Sequence, residues 1–261
     1  MYKKKTMSSG YESDPIAVWI HTQERYALLP EFASVKYSNP PVGMEQLQRR
    51  FAKTNVRFVK KDMIDEAIEI FEMGVFGIPL VLNMADWNNA GGSVDVGSMA
   101  QEEECFRRSN YFKTLLQSFY PLGELDTIIS KGVEYYRKGA ADEYVFMDKP
   151  IKLDMIAQAA VRYPATKNNG TEFSKTADVT RFENKVRMLL SVAADAGNEV
   201  LILSAWGCGE FRCPPEAVAR IFRRIIEAEY NGVFREIVFA IIGLNYDRFQ
   251  KGWLSGCQQI K

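Results

Sequence analysis

Apolar positions fall into two periods along this chain. Residues 63–73 carry Met63, Ile64, Ala67, Ile68 and Phe71 at helical spacing, with Asp62 placed to cap the first turn and Gly74 and Gly77 to end it. Residues 78–82 form an unbroken apolar run, read as a buried strand entering Gly91-Gly92. Residues 200–204 are the clearest second strand of this kind and enter Ala205-Trp206-Gly207-Cys208-Gly209-Glu210-Phe211. Pro214-Pro215 then opens a helix that buries Val218, Ile221, Phe222, Ile225 and Ile226, and residues 234–242 give another strand. Less sharply, the pattern predicts a helix over 44–54 after the Pro40-Pro41-Val42-Gly43 break, a strand over 56–59 and strands near 133–136 and 143–146. It predicts helices over 151–160 and 179–196, the second closed by Gly197. A further helix starts near Ser98, where Ser98-Met99-Ala100-Gln101 has the form of a capping box. Strands alternating with helices imply an α/β sheet covered on both faces, with ligands bound beyond the carboxyl ends of its strands. Both glycine loops belong at that place.

Composition narrows the function. The 261 residues are 47% hydrophobic and 25% charged, so a folded core is expected. Net charge is zero, which disfavours a duplex or sequence-specific nucleic-acid partner. No apolar run is long enough to span a bilayer, so no membrane role is expected. The basic start has no apolar segment after it, so it is not a secretory signal, and residues 1–12 read as a mobile tail. Cys105, Cys208, Cys213 and Cys257 form no compact framework, which fits a reducing, cytoplasmic setting, or a nuclear one were the source eukaryotic or viral. With one histidine, His21, a zinc site is not expected.

The candidate chemistry lies in two loops and one acidic run. Gly91-Gly92-Ser93 is either a tight turn or a backbone able to approach an anion closely. Eight positions after Ser93 begins Gln101-Glu102-Glu103-Glu104. Its bland reading is a solvated helix face, with Glu103–Arg107 and Glu104–Arg108 at favourable i,i+4 spacing. Its functional reading is proton chemistry beside the anion site. A helix N-terminus favours the ionised carboxylate, so burial and mutual repulsion would have to raise a carboxyl pKa for acid catalysis. The second loop combines Gly-x-Gly with a proline-led helix, a setting for a diphosphate, and Phe211 either packs on a sugar or belongs to the core with Trp206. Cys208 between its glycines invites a nucleophile reading, but no activating histidine is near in sequence, and Cys208 and Cys105 read as structural.

The Gly-Gly-Ser…Gln-Glu-Glu stretch resembles the signature of the microbial-type poly(ADP-ribose) glycohydrolases, a branch of the macrodomain superfamily: three glycines, six to eight residues, then Gln-Glu-Glu. Arg107-Arg108-Ser109-Asn110-Tyr111, Tyr120-Pro121-Leu122, residues 159–161 and the 205–211 loop with Pro214-Pro215 extend the resemblance over about residues 55–250. It implies a three-layer α/β/α macrodomain-like fold with a mixed central sheet. Residues 55–261 would form the catalytic domain, and residues 13–54 a helical N-terminal extension packed on it. It implies hydrolysis of ribose–ribose bonds in poly(ADP-ribose), releasing ADP-ribose, in a monomer with no metal or cofactor. Glu103 would be the catalytic acid/base and Glu102 its ribose-contacting neighbour. Gln101 would support the loop, while Gly91, Gly92, Ser93, Gly207, Cys208, Gly209, Glu210 and Phe211 would surround the diphosphate and ribose. The alternatives are a non-catalytic ADP-ribose reader, or a hydrolase of another ADP-ribosyl linkage. Three positions depart from the family's pattern: Ser93 replaces the third glycine, Ala90 the common proline, and Asp86-Trp87-Asn88-Asn89 the usual short turn. A Cβ at position 93 would either crowd the loop or bring a hydroxyl donor.

Overall fold

The computed structural model of the chain describes residues 14–41 and 43–255. The expected tail at residues 1–12, and Cys257, lie outside the described residues. Seven strands form one sheet: β1 (Ser34–Tyr37), β2 (Asn55–Val59), β3 (Leu80–Met84), β4 (Thr127–Arg137), β5 (Phe146–Gln158), β8 (Val200–Leu203) and β9 (Glu236–Ala240), in the order β1-β4-β5-β3-β8-β9-β2. Two short strands, β6 (Thr166–Lys167) and β7 (Glu172–Phe173), make a separate hairpin. β5, β3, β8, β9 and β2 are mutually parallel, while β4 runs antiparallel to β5 and β1 antiparallel to β4. The sheet is thus mixed, and its five parallel strands end on one edge. β3, β8 and β9 are almost wholly apolar because both of their faces are covered.

The helices are α1 (Pro15–Arg25), α2 (Met63–Glu72), α3 (Gln101–Arg107), α4 (Thr176–Asp195), α5 (Pro215–Ala228) and α6 (Asn245–Ser255). They complete the expected three-layer arrangement. α2 begins at Asp62, whose carboxylate accepts from the N–H groups of Ile64 and Asp65 at 2.9 and 3.1 Å. It buries Met63, Ile64, Ala67 and Ile70. α5 buries all five apolar residues expected of it, and Phe222 packs against Phe182, Trp206, Phe239 and Phe249. Trp206 is therefore core. α1 braces α3: Thr22 donates to the Arg107 carbonyl at 2.6 Å, Arg107 Nε donates to the Pro15 carbonyl at 3.0 Å, and Trp19 packs on Phe106.

Four sequence expectations fail locally. The strand expected near 143–146 is a turn, with Glu143 and Tyr144 in left-handed backbone and β5 starting only at Phe146. Residues 151–160 are not helical, because residues up to Gln158 lie in β5, a central strand paired with β4 over Ile151–Gln158 and with β3 over Asp154–Gln158. Pairing on both edges outweighs the helix propensity of its alanines and glutamine. Residues 44–54 hold only a 3₁₀ turn, Met44–Gln46. The rest runs extended, with the Phe51 N–H donating to the Gly232 carbonyl and the Arg49 and Arg50 guanidinium groups donating to carbonyls of the β8 and β9 approaches. The capping box at Ser98 does not form either. α3 starts at Gln101 behind Ala100, with no side-chain cap, because Gln101 is drawn sideways onto β3.

Candidate active site

Gln101 joins α3 to the end of β3 by two hydrogen bonds. Its Oε1 accepts from the Met84 N–H at 2.9 Å and its Nε2 donates to the Leu82 carbonyl at 2.9 Å. This amide clamp fixes the short helix against the strand and sets where the next two side chains point. Glu102 turns under the loop that follows β3. One carboxyl oxygen accepts from Asn83 Nδ2 and the Gly91 N–H, each at 3.2 Å, and the other accepts from the Asp86 N–H at 2.7 Å. Glu103 Oε1 accepts from the Ser93 N–H at 2.9 Å. Its Oε2 is buried and has no donor among the described residues.

The two glycines make this seating possible. Gly91 and Gly92 have φ of +81° and +59°. A Cβ at Gly91 would stand 2.5 Å from the Phe106 ring, and one at Gly92 would stand 2.5 Å from Glu103 Oε1. Ser93 has φ −112°, so the serine in place of a third glycine is not forced into left-handed backbone. The N–H groups of positions 91, 92 and 93 donate to Glu102, the Asn89 carbonyl and Glu103 respectively. This loop therefore spends two of these donors on the glutamates and the third on its own turn.

None of the three glutamates is solvated. Glu102, Glu103 and Glu104 retain 4%, 5% and 9% exposure, which overturns the exposed-face reading of the run. The expected Glu104–Arg108 and Glu103–Arg107 pairs do not form. Glu104 accepts from Tyr144 OH at 2.5 Å and from Arg107 Nη1 at 3.2 Å, while Arg108 pairs with Asp62 and Asp65 of the α2 start. Burial pushes the Glu102 carboxyl up to about 8, with the Glu103 carboxylate adding to the rise against the opposing pull of the Asp86, Asn83 and Gly91 donors. Glu102 thus holds a proton near neutral pH. Tyr120, its buried hydroxyl beside Glu102, has its own ionisation pushed up by burial and then by that carboxyl. Asn83 was not singled out in the sequence, and Tyr120 entered only as part of the family resemblance, with no role at the site. A signal for Asn83 was present, since it is the one polar residue in the buried strand β3.

The second loop leaves the end of β8, the strand beside β3. Gly207 has φ +75°, and a Cβ there would meet Ala160 Cβ at 2.7 Å, so the glycine lets the loop lie close to the chain leaving β5. The turn is held by bonds from the Cys208 N–H to the Ala205 carbonyl and from the Cys213 N–H to the Gly207 carbonyl. The N–H groups of Gly209, Glu210 and Phe211 have no acceptor among the described residues. Phe211 is half-buried against Tyr163, whose hydroxyl donates to Glu210 at 2.9 Å. Cys208 is buried, its thiol is pushed well up by burial, and its carbonyl accepts from Asn245. Cys105, on the buried side of α3, has its thiol pushed up in the same way.

Residues 22–138 match the family model of the microbial-type PARG catalytic domain, a span that takes in β1, β3, the first glycine loop, α3 and β4. The fold is similar to that of poly(ADP-ribose) glycohydrolase from Thermomonospora curvata, with a TM-score of 0.74 at 20% identity over 91% of this chain and 98% of that one. A structure of the T. curvata enzyme bound to the inhibitor ADP-HPD gives a TM-score of 0.72 at 20% identity, with the same coverage of both chains. Poly(ADP-ribose) glycohydrolase from Deinococcus radiodurans in complex with ADP-ribose matches with a TM-score of 0.70 at 23% identity over 93% of this chain and 97% of that one. No curated protein matches the chain in sequence.

Proposed function

We propose that this chain, which matches the microbial-type PARG catalytic domain in sequence and shares the fold of two bacterial poly(ADP-ribose) glycohydrolases, hydrolyses the ribose–ribose bonds of poly(ADP-ribose) and releases ADP-ribose. The observation that carries the mechanism is the buried, donorless Oε2 of Glu103, held in place through Oε1 by the Ser93 N–H. A carboxyl oxygen so placed is free to exchange a proton with a substrate oxygen. The free N–H groups at Gly209, Glu210 and Phe211 suit the diphosphate of the unit being released, and half-buried Phe211 offers a face for its sugar.

Glycosidic cleavage proceeds through an oxocarbenium-like state, so the catalyst must protonate the leaving oxygen and then take a proton from the attacking water. Glu103 does both: a proton taken from solvent passes through it to the leaving ribose oxygen as the C–O bond breaks, and water adds to the anomeric carbon, giving up a proton that Glu103 returns to solvent. Glu102, still protonated near neutral pH, donates to the bound ribose and holds the loop on which that ribose rests. Anchoring the diphosphate on the neighbouring strand's loop fixes the ribose against Glu103, which is how one acid/base residue suffices. Polymer-bearing proteins are the partners this reading requires. Among the described residues no helix is long and apolar enough to cross a membrane. A cytoplasmic monomer is the form in which we expect the enzyme to work.

The test is incubation with poly(ADP-ribose) and, separately, with mono-ADP-ribosylated protein, measuring released ADP-ribose. We expect release from the polymer. Release only from the mono-modified protein would assign another linkage, and binding without release from either would leave a reader module.

A further inference from the structure

Trp87 belongs to a segment that the sequence marks as unusual, and the structure gives it a partner. Its indole lies 3.9 Å beneath the guanidinium of Arg162, the residue before Tyr163 on the chain leaving β5. Both side chains are exposed. Trp87 is held firmly: the Leu122 N–H donates to its carbonyl at 2.7 Å, and Asp86 caps the turn by accepting from the Asn88 and Asn89 N–H groups at 2.7 and 2.8 Å. Arg162 forms no ion pair with a carboxylate among the described residues.

Position gives the pair its meaning. On one side Asp86, adjacent to Trp87, donates its N–H to Glu102. On the other, Tyr163, adjacent to Arg162, donates its N–H to the Phe211 carbonyl at 2.8 Å. The stacked pair therefore bridges the two loops and borders the carboxylates. We propose that Trp87 and Arg162 form a subsite for the nucleotide unit on the leaving side of the scissile bond, a specificity element for polymer over a single ADP-ribosyl group. The proposal rests on the glycohydrolase reading. The unpaired N–H groups of residues 209–211 already suit the first diphosphate. A delocalised cation on an indole face offers what a second nucleotide brings its own match for: an anion contact for the next diphosphate and a stacking surface for the next adenine.

The test uses the Glu103→Gln protein, which retains polymer intact, and measures binding of poly(ADP-ribose) and of free ADP-ribose with and without Arg162→Ala or Trp87→Ala. Each exposed substitution should weaken polymer binding by about tenfold and shift ADP-ribose affinity by less than about twofold. Arg162→Lys should recover part of the loss, and Arg162→Ala should flatten the salt dependence of polymer binding. Equal losses for both ligands would mean that the pair serves the first unit, and no loss for either would mean that it only joins the loops; each outcome overturns the proposal. Polymer binding that depends on Arg162 in a wild-type protein that releases no ADP-ribose would instead overturn the glycohydrolase reading and leave the subsite standing. Failure to bind polymer at all would overturn the subsite.

Discussion

The two glycine loops leave neighbouring parallel strands, β3 and β8, and use their backbones in opposite ways. In the first loop the N–H groups of Gly91 and Ser93 turn inward and seat Glu102 and Glu103, while that of Gly92 closes the turn onto the Asn89 carbonyl. At positions 209–211 they have no acceptor among the described residues and are available to a ligand. The glycines differ to match. Gly92 is required by what lies beneath it, since an added Cβ would strike Glu103, whereas an added Cβ at Gly209 meets nothing within 4 Å. A glycine-rich turn after a strand is thus not one device: here one turn aims carboxylates and the other presents donors.

The contrast breaks most visibly at Glu103. Glutamine there keeps the contact with the Ser93 loop but cannot deliver and retrieve a proton. General acid–base catalysis is worth about 10²–10⁴-fold, or about 3–5 kcal/mol of barrier. Glu103→Gln should therefore lose at least about a hundredfold in turnover on poly(ADP-ribose), while ADP-ribose affinity by calorimetry changes by less than about tenfold. Turnover within a few-fold of wild type would remove Glu103 from the chemistry.

Alanine substitutions in the loops come next. Gly92→Ala forces a side chain into left-handed backbone and against Glu103, at a cost of about 1–3 kcal/mol in strain alone. It should lower Tm and turnover together. Gly209→Ala should leave Tm unchanged and act on ADP-ribose affinity alone, since its surroundings are open until a ligand arrives. Thermal melts and calorimetry on both variants decide the matter. The reverse pattern would mean that the loops have been assigned each other's roles.

A further effect, read through pH, concerns Glu102. Its carboxyl sits at about 8 in the folded protein, above its unfolded value. Between the unfolded value and 8 the native state holds a proton that the unfolded chain has released, so this group's contribution to stability declines as pH rises across that window. Above 8 the decline stops. Glu102→Gln removes this term, and its stability relative to wild type should rise from acid to mildly alkaline pH. Urea unfolding of the two proteins at matched pH values measures the difference. Parallel curves would show that Glu102 carries no such proton in the fold.

Much of this could be read in the sequence. Helical spacing and apolar runs placed α2, α5, β8 and β9, and the spacing from Gly91 to Glu103 marked the proposed acid site. Where local propensity and tertiary pairing disagreed, the sequence misled. Residues 151–158 look helical in isolation, yet they make a central strand because β3 and β4 offer partners on both edges. Glu104 looked like a solvated surface residue because its charge matched Arg108 at i,i+4. In the fold Arg108 goes to Asp62 and Asp65, and Glu104 is left to Tyr144 and Arg107.

What the sequence determined by itself was the alternation of elements, the α/β class and which glutamates to propose for the acid chemistry, since periodicity and short motifs act through neighbouring residues. Only the tertiary structure decided which backbone N–H groups stay free, which glutamate keeps a proton and which carboxyl oxygen lacks a donor. Those properties depend on burial and on partners from distant segments, such as Asn83 under Glu102 and Tyr163 against Phe211, which the chain brings together only when the sheet closes.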